Sequence, residues 1–230
     1  GVHLPCHTPT PRCPSAASDT IRVVSFNIEF AIRVDSALSL LTSDSALERA
    51  DIILLQEMDA AGTQRIASVL NMGYVYYPAT RHVKYNRDFG NAVLSRWPIV
   101  ADRKILLPHL ARVAGTRRTA TAATVRIGNR DVRVYSTHLG TVANVSAGQR
   151  REQLLAVLED AESFERVIIG GDMNDGGVAS VAQEKGYFWP TREGPRTATV
   201  GRLDHIFFKG LQMPDSAAAA TLLDNRNASD

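Results

Sequence analysis

A chain of 230 residues, 44% of them hydrophobic, is long enough to bury one sizeable two-layer core as a single domain. Its 26 basic and 24 acidic residues leave a net charge of +2, which by itself calls for no polyanionic partner and makes any basic surface local. No apolar run approaches the roughly 20 residues needed to span a bilayer as a helix.

Residues 1–20, "GVHLPCHTPTPRCPSAASDT", are rich in Pro, Ser and Thr and show neither helical nor strand periodicity. They read as a flexible lead-in to one domain over 21–230. Both cysteines, Cys6 and Cys13, lie there. Such a pair beside a cysteine-free body fits a small disulfide in an exported protein, secreted or periplasmic, whose signal peptide has been removed. Two free thiols in a tail are the alternative.

From residue 21 strand-like and helix-like stretches alternate. "IRVVSFNI" is a β-branched run, "SALSLLTSDSALERA" is amphipathic and helix-prone, and "DIILLQE" has the composition of a buried strand. "AGTQRIASVLNMG" reads as a helix closed by Gly73. Short strands are expected near 74–78, 91–95, 99–107, 119–128 and 131–139. "SAGQRREQLLAVLEDA" reads as a helix with Leu154, Leu155 and Leu158 on one face, and "RVIIGGD" as a buried strand. "GGVASVAQEKG" looks helical and "RLDHIFFKG" looks like a late strand. The helix-free stretch from 74 to 139 argues against a simple doubly wound parallel sheet. Two packed mixed sheets with helices outside fit better, with polar residues at strand ends gathered on one rim.

Those strand ends repeat a theme. "VVSFN" ends in Asn27, with Glu29 after it, and "IILLQE" ends in Gln56 and Glu57. "RVYSTHLG" places His138, "VIIGGDMND" places Asp172 and Asn174, and "GRLDHIFF" places Asp204 and His205. Each alone also reads as ordinary: a loop charge, a turn residue, a structural histidine, a helix cap. Asp204, inside an apolar run, needs a partner in His138, His205 or a metal. Together these types suit hydrolysis of a phosphate ester. Mg²⁺ takes oxygen ligands and keeps several waters, so one carboxylate and one amide can suffice. There is no HExxH and no CxxC, which argues against the common zinc sites.

Taken in order, "SFNIEF", "LLQEM", "FGNAVLSRWPI", "STHLG", "GGDMND" and "RLDHIF" resemble the endonuclease/exonuclease/phosphatase superfamily, with its deoxyribonuclease I-like fold, over residues 21–230. The resemblance implies a four-layer α/β/β/α sandwich of two mixed sheets with outer helices. It also implies hydrolysis of phosphoester bonds with Mg²⁺ or Mn²⁺. Carried over, Asn27 and Glu57 look like the metal site, and His138 like the histidine on the scissile phosphate. Asp172 looks like the residue that activates water and Asn174 like its companion on the phosphate. Asp204 looks like the carboxylate that orients the family's last histidine, which follows Ser and Asp in a closing Ser-Asp-His. Here the text reaches "NASD", so Asp230 joins the metal residues, while the histidine and last strand are absent from the given sequence. His205 is a poor substitute, because next to Asp204 it should face the other side of the sheet. A molecule that truly lacked the histidine would turn over weakly or not at all.

Around this group, "TRHVKYNRDFGNA" (80–92) mixes Arg81, His82, Lys84 and Arg87 with Tyr85 and Phe89, a composition able to hold a phosphate backbone and stack a base. In the resemblance "FGNAVLSR" borders the cleft, making Asn91 an expected substrate contact, and an Arg just before the strand "TATAATVRI" recurs in the family, making Arg118 another. Arg117, Arg150 and Arg151 are weaker candidates for the rim. The expected activity is that of a phosphodiesterase or nuclease acting on a phosphate-ester substrate, with nucleic acid one option. A phosphomonoesterase, a lipid-headgroup phosphodiesterase and an inactive binding module of the same fold are the rivals. No protein partner is implied.

Overall fold

The computed structural model describes residues 20–82, 86–194, 196–197 and 201–214. Cys6 and Cys13, the side chains of His82, Lys84 and Tyr85, and Asp230 lie outside that description. In chain order the elements are β1 (Val23–Asn27), α1 (Val34–Ser43), β2 (Ile52–Met58), α2 (Ala60–Leu70), β3 (Gly73–His82), β4 (Arg87–Ser95) and β5 (Ile99–Leu110). There follow β6 (Arg117–Ile127), β7 (Arg130–His138), α3 (Ala147–Asp160), β8 (Val167–Asp172), α4 (Ser180–Glu184) and β9 (Asp204–Lys209).

The strands form two mixed sheets, ordered β1-β2-β4-β3 and β5-β6-β7-β8-β9. Each sheet contains one parallel pair, β1 with β2 and β7 with β8; the remaining pairs are antiparallel. A parallel pair needs a crossover, and α1 and α3 lie in those two connections. The inner faces meet through Ile52, Leu54 and Val93 on one side and Val125, Val134 and Ile168 on the other. Outside the first sheet, Ile53, Leu55 and Leu94 pack under Leu38 and Leu41 of α1 and Ile66 of α2. Outside the second, Tyr135, Ile169 and Phe207 pack under Leu154 and Val157 of α3. The result is the four-layer α/β/β/α sandwich. Side chains alternate along a strand, so "IILL" can be apolar throughout only because both faces of β2 are covered.

Three local expectations change. The helix expected over 36–50 stops at Ser43, because the Asp44 carboxylate accepts the N–H groups of Ala46 (2.9 Å) and Leu47 (3.2 Å) and turns the chain. The second helix is closed by Asn71 in the left-handed conformation, with the Met72 N–H returning to the Ala67 carbonyl; Gly73 instead opens β3. Of the stretch 176–186, only Ser180–Glu184 is helical, preceded by turns.

Candidate active site

The carboxyl ends of both parallel pairs open on the same rim, the place where open α/β sheets receive ligands. Register fixes which side chains stand side by side. His138 pairs with Asp172, and Asp172 pairs with Asp204, so one residue from each of β7, β8 and β9 forms a row. By alternation that row continues the inner face of Val134, Ile168 and Ile206. On the facing sheet Asn27 pairs with Gln56. Gln56 is fully buried and ties the sheets together: its Nε2 donates to the Ser136 Oγ (3.0 Å), whose hydroxyl donates to the Leu55 carbonyl (2.9 Å).

Glu57 is the exception to alternation. It should share the outer face with Ile53 and Leu55, under the helices. A bulge between Leu55 and Met58 and a left-handed φ of 57° redirect it to the rim. There its Oε2 accepts the Phe30 N–H at 3.0 Å. Phe30 can donate because Glu29, Phe30 and Ala31 form a tight turn with positive φ (36°, 54° and 55°). With Asn174 (φ 52°), five of the eight non-glycine positive-φ residues among the described residues belong to this rim. Each costs on the order of 1 kcal/mol or more, so the surrounding packing must hold them there.

The side chains then meet. Asn27, Glu57, His138 and Asp172 are 4%, 6%, 3% and 8% exposed. The Asn27 Nδ2 donates to the Asp172 Oδ2 at 3.3 Å, and the His138 Nε2 lies 3.5 Å from that same oxygen. Asn174 donates its backbone N–H to the Asp172 Oδ1 (2.8 Å) and its side-chain Nδ2 to the Leu139 carbonyl (3.0 Å). Arg118, at the start of β6, places its Nη1 3.2 Å from the His138 Nδ1. A guanidinium can only donate, so that ring nitrogen accepts and the proton sits on Nε2, facing Asp172. The Glu57 Oε1, 3.7 Å from Nδ1, is too far for a hydrogen bond. Burial, and then the charge of Arg118, push the His138 imidazole well below its ordinary value, so the ring is neutral. Burial also works against the charge of Arg118, while Glu57 and Asp172 favour it.

The paired glycines of "GGD" have separate jobs. At Gly170 a Cβ would sit 2.5 Å from Leu54 Cδ1 of the opposite sheet, so its absence lets the sheets close beneath the site. At Gly171 a Cβ would sit 1.8 Å from the Thr137 carbonyl, and φ is +145°.

The remaining candidates divide. Asn91 is buried and donates its amide to the Thr119 carbonyl at 2.6 Å, next to Arg118; it positions β6 rather than facing the rim openly. Arg150 turns inward to Asp175 (2.9 Å) and the Val145 carbonyl (2.8 Å), bracing the loop that carries Asn174. Arg151 pairs with the exposed Glu184. Phe89 differs from its expected use as a base-stacking surface. It is 8% exposed, with the Arg118 guanidinium 5.2 Å above its ring, Phe30 at 5.7 Å and His138 edge-on at 6.4 Å. Phe89 and Phe30 are the wall of the site, and no periodicity in "RDFGNA" or "NIEFAI" singled them out for it.

The donor set suits a hard divalent cation. Two carboxyl groups, Glu57 and Asp172, act on one guanidinium, that of Arg118, and Asp204 stands beside Asp172 in the sheet. Glu57 and Asn27 offer oxygen from neighbouring parallel strands, the donor type Mg²⁺ and Mn²⁺ prefer. No group of three His, Cys, Asp or Glu with metal-holding geometry occurs among the described residues, and a carboxylate-plus-amide site needs none.

His205 faces the opposite side of β9, as alternation requires. It is 1% exposed, accepts from the Trp189 Nε1 at Nδ1 (3.1 Å) and donates from Nε2 to the Arg202 carbonyl (3.2 Å). Burial lowers it from 6.5 to about 4; the smaller influences are the Arg202 carbonyl and Asp175, which favour protonation, and the Arg202 charge, which opposes it. Between those values the unfolded chain binds a proton there that the folded chain does not. Stability therefore falls as pH drops from about 6.5 to 4, by roughly 3 kcal/mol from this group. Urea unfolding at pH 7 and pH 4 should show that loss, and His205→Gln, which keeps an acceptor and a donor, should lose about that much less; identical pH dependence in both proteins would refute it.

Two mixed sheets face to face, with acid, amide and imidazole at the ends of their parallel strands, define a protein of the deoxyribonuclease I-like fold. The sequence profile of the Endonuclease/Exonuclease/phosphatase family matches residues 24–230, and the chain belongs to that family. Solved structures share the architecture at low identity. An endonuclease/exonuclease/phosphatase family protein from Leptotrichia buccalis superposes with a TM-score of 0.71 at 15% identity, covering 92% of this chain and 96% of that one. TDP2 from D. rerio, solved with a single-strand DNA product, gives 0.63 at 21%, covering 86% of each chain. Sphingomyelinase C from Streptomyces griseocarneus gives 0.65 at 17%, covering 90% and 89%. A search of curated proteins found no match. No described helix is long and apolar enough to cross a membrane.

Proposed function

We propose that the protein is a divalent-metal-dependent phosphodiesterase whose centre is built from Asn27, Glu57, His138, Asp172, Asn174 and Asp204. The observation that carries this reading is the convergence, from four strand ends far apart in sequence, of Asn27, Glu57, His138 and Asp172 within hydrogen-bonding or near-contact range. Glu57 and Asn27 would hold Mg²⁺ or Mn²⁺, with Asp230 of the closing motif an expected addition; the bound ion would offset negative charge on the phosphoryl group.

Asp172 stands where it can take a proton from the attacking water as the new P–O bond forms and the ester P–O bond breaks. Its orientation is held from two sides, by the Asn27 amide on Oδ2 and the Asn174 N–H on Oδ1. The neutral His138, its tautomer set by Arg118, presents Nε2–H as a donor to a phosphate oxygen once substrate enters. The second N–H of the Asn174 amide, the one not given to Leu139, is a further donor. Asp204 extends the acidic row beside Asp172.

The test is a panel. The full chain should hydrolyse bis-p-nitrophenyl phosphate and at least one of plasmid DNA, RNA and sphingomyelin with Mg²⁺ or Mn²⁺, stop with EDTA, and resume when metal is restored. The absence of metal-dependent turnover on every substrate would leave a binding module of the same fold.

A further inference from the structure

The loop leading into Asp204 folds against the loop carrying Asn174, where the Met173 N–H donates to the Leu203 carbonyl at 2.7 Å. Between the two opens a cavity of about 390 Å³. Gly176, Trp189, Arg192, Arg196, Arg202 and His205 are among the residues that line it. The three arginines are exposed, and no carboxyl group lines the cavity among the described residues. Its floor is a locked unit. The Trp189 Nε1 donates to His205 and to the Thr191 Oγ1, both at 3.1 Å, and the ring packs edge-on against His205 at 5.0 Å. His205 in turn holds the Arg202 carbonyl, and the Arg202 side chain donates to the Arg192 carbonyl. The Arg192 guanidinium sits 6.0 Å over the Trp189 ring; its ion pair with Glu193, 3.3 Å between two exposed side chains, holds it weakly.

Three guanidiniums converging on one concavity repel one another, and a multivalent oxyanion relieves that repulsion. Planar forks of N–H donors match the oxygens of a phosphate better than any other common group. Only Asp175 separates Gly176 from Asn174, so the cavity adjoins the group assigned to the scissile phosphate. We propose that this cavity binds a second phosphate of the substrate, one that is not cleaved, so that substrates with at least two phosphate groups are preferred. The assignment to substrate rests on the phosphodiesterase reading; the anion site itself does not.

The sequence has two tryptophans, so a Trp97→Phe protein reports on Trp189 alone. Its fluorescence is titrated with inorganic pyrophosphate and with a 5′-phosphorylated trinucleotide. Both should give saturable changes, weakened at least about tenfold by combining Arg192→Ser, Arg196→Ser and Arg202→Ser, with the trinucleotide's salt slope shallower by about 2. Arg196 makes no hydrogen bond or ion pair among the described residues, so Arg196→Ser alone tests the site without touching the loop's own bonds; it should weaken both ligands several-fold. Unaltered titrations in the single and triple variants would overturn the site. Pyrophosphate binding that depends on the arginines while trinucleotide binding does not would overturn its assignment to substrate. With active protein, the ratio of kcat/KM for the trinucleotide to that for bis-p-nitrophenyl phosphate should fall about tenfold in the triple variant, and an unchanged ratio would likewise overturn it. Titration needs no turnover, so arginine-dependent binding by a protein that cleaves nothing would sink the phosphodiesterase reading and leave the anion site standing.

Discussion

Glu57→Gln and Asp172→Ala should each lower metal-dependent phosphodiester turnover by about 10³-fold or more. The two act for different reasons. Glutamine at 57 keeps an oxygen for the Phe30 N–H, so the bulge and the left-handed turn at 29–31 are retained. What it loses is the charge facing the rim, and with it most of the affinity for a divalent cation. Calorimetric Mn²⁺ binding should therefore weaken in parallel with the rate for Glu57→Gln. For Asp172→Ala the metal affinity should change less, because Asn27 and Glu57 remain, while the rate collapses for want of a proton acceptor. His138 also loses the carboxylate 3.5 Å from its Nε2. Near-normal rates in both variants, with melting temperatures kept, would refute the proposed centre.

Gly171→Ala should be the most damaging single methyl group in the protein. The added Cβ would lie 1.8 Å from the Thr137 carbonyl oxygen and 2.8 Å from its carbon, both backbone atoms of the neighbouring strand. No side-chain rotation relieves that contact. The native φ of +145° is moreover a conformation alanine avoids. β8 lies between β7 and β9, so the strand cannot move outward without breaking two ladders that carry His138, Asp172 and Asp204. The expected cost is more than about 4 kcal/mol, a large share of the 5–15 kcal/mol typical of a domain. Either no folded protein is recovered or the midpoint falls by roughly 10 °C or more. Gly148→Ala is the comparison: its nearest neighbour, the Ser146 Oγ, is 3.9 Å away and the residue is helical, so stability should hold or rise by up to about 1 kcal/mol. A Gly171→Ala protein as stable as the parent would show that the β7–β8 contact is not as tight as described.

Strand composition was the most legible feature. "IILL" and "VIIGG" carry no polar side chain on either parity, and β2 and β8 are covered on both faces. The polar residue types at their ends follow in chain order, which is why the family and its four-layer sandwich could be named from six short stretches. Helix boundaries were less legible, because the Asp44 side chain competes for backbone N–H groups inside a stretch of helical composition. Composition alone does not separate Arg118 from Arg150; the family resemblance favoured Arg118, and in the structure it meets His138 while Arg150 turns to Asp175. Phe89 could not be told apart from an exposed aromatic, since its burial depends on Phe30, 59 residues earlier in a different strand connection.

The amino-acid sequence by itself determined the strands, their two-faced burial, and the identity of the acids, amides and imidazole at their ends. These are local properties: alternation, β-branching and the emergence of a polar residue where an apolar run stops. Only the tertiary structure decided that Glu57 belongs to the same rim as His138. Strict alternation would have sent it under the helices. A bulge against β4, an N–H from the turn at 29–31, and the closure of the sheets over Gly170 and Gln56 turn it the other way. Those contacts join segments remote in the chain, so the energy that holds Glu57 in its left-handed conformation comes from packing that no short window of sequence contains.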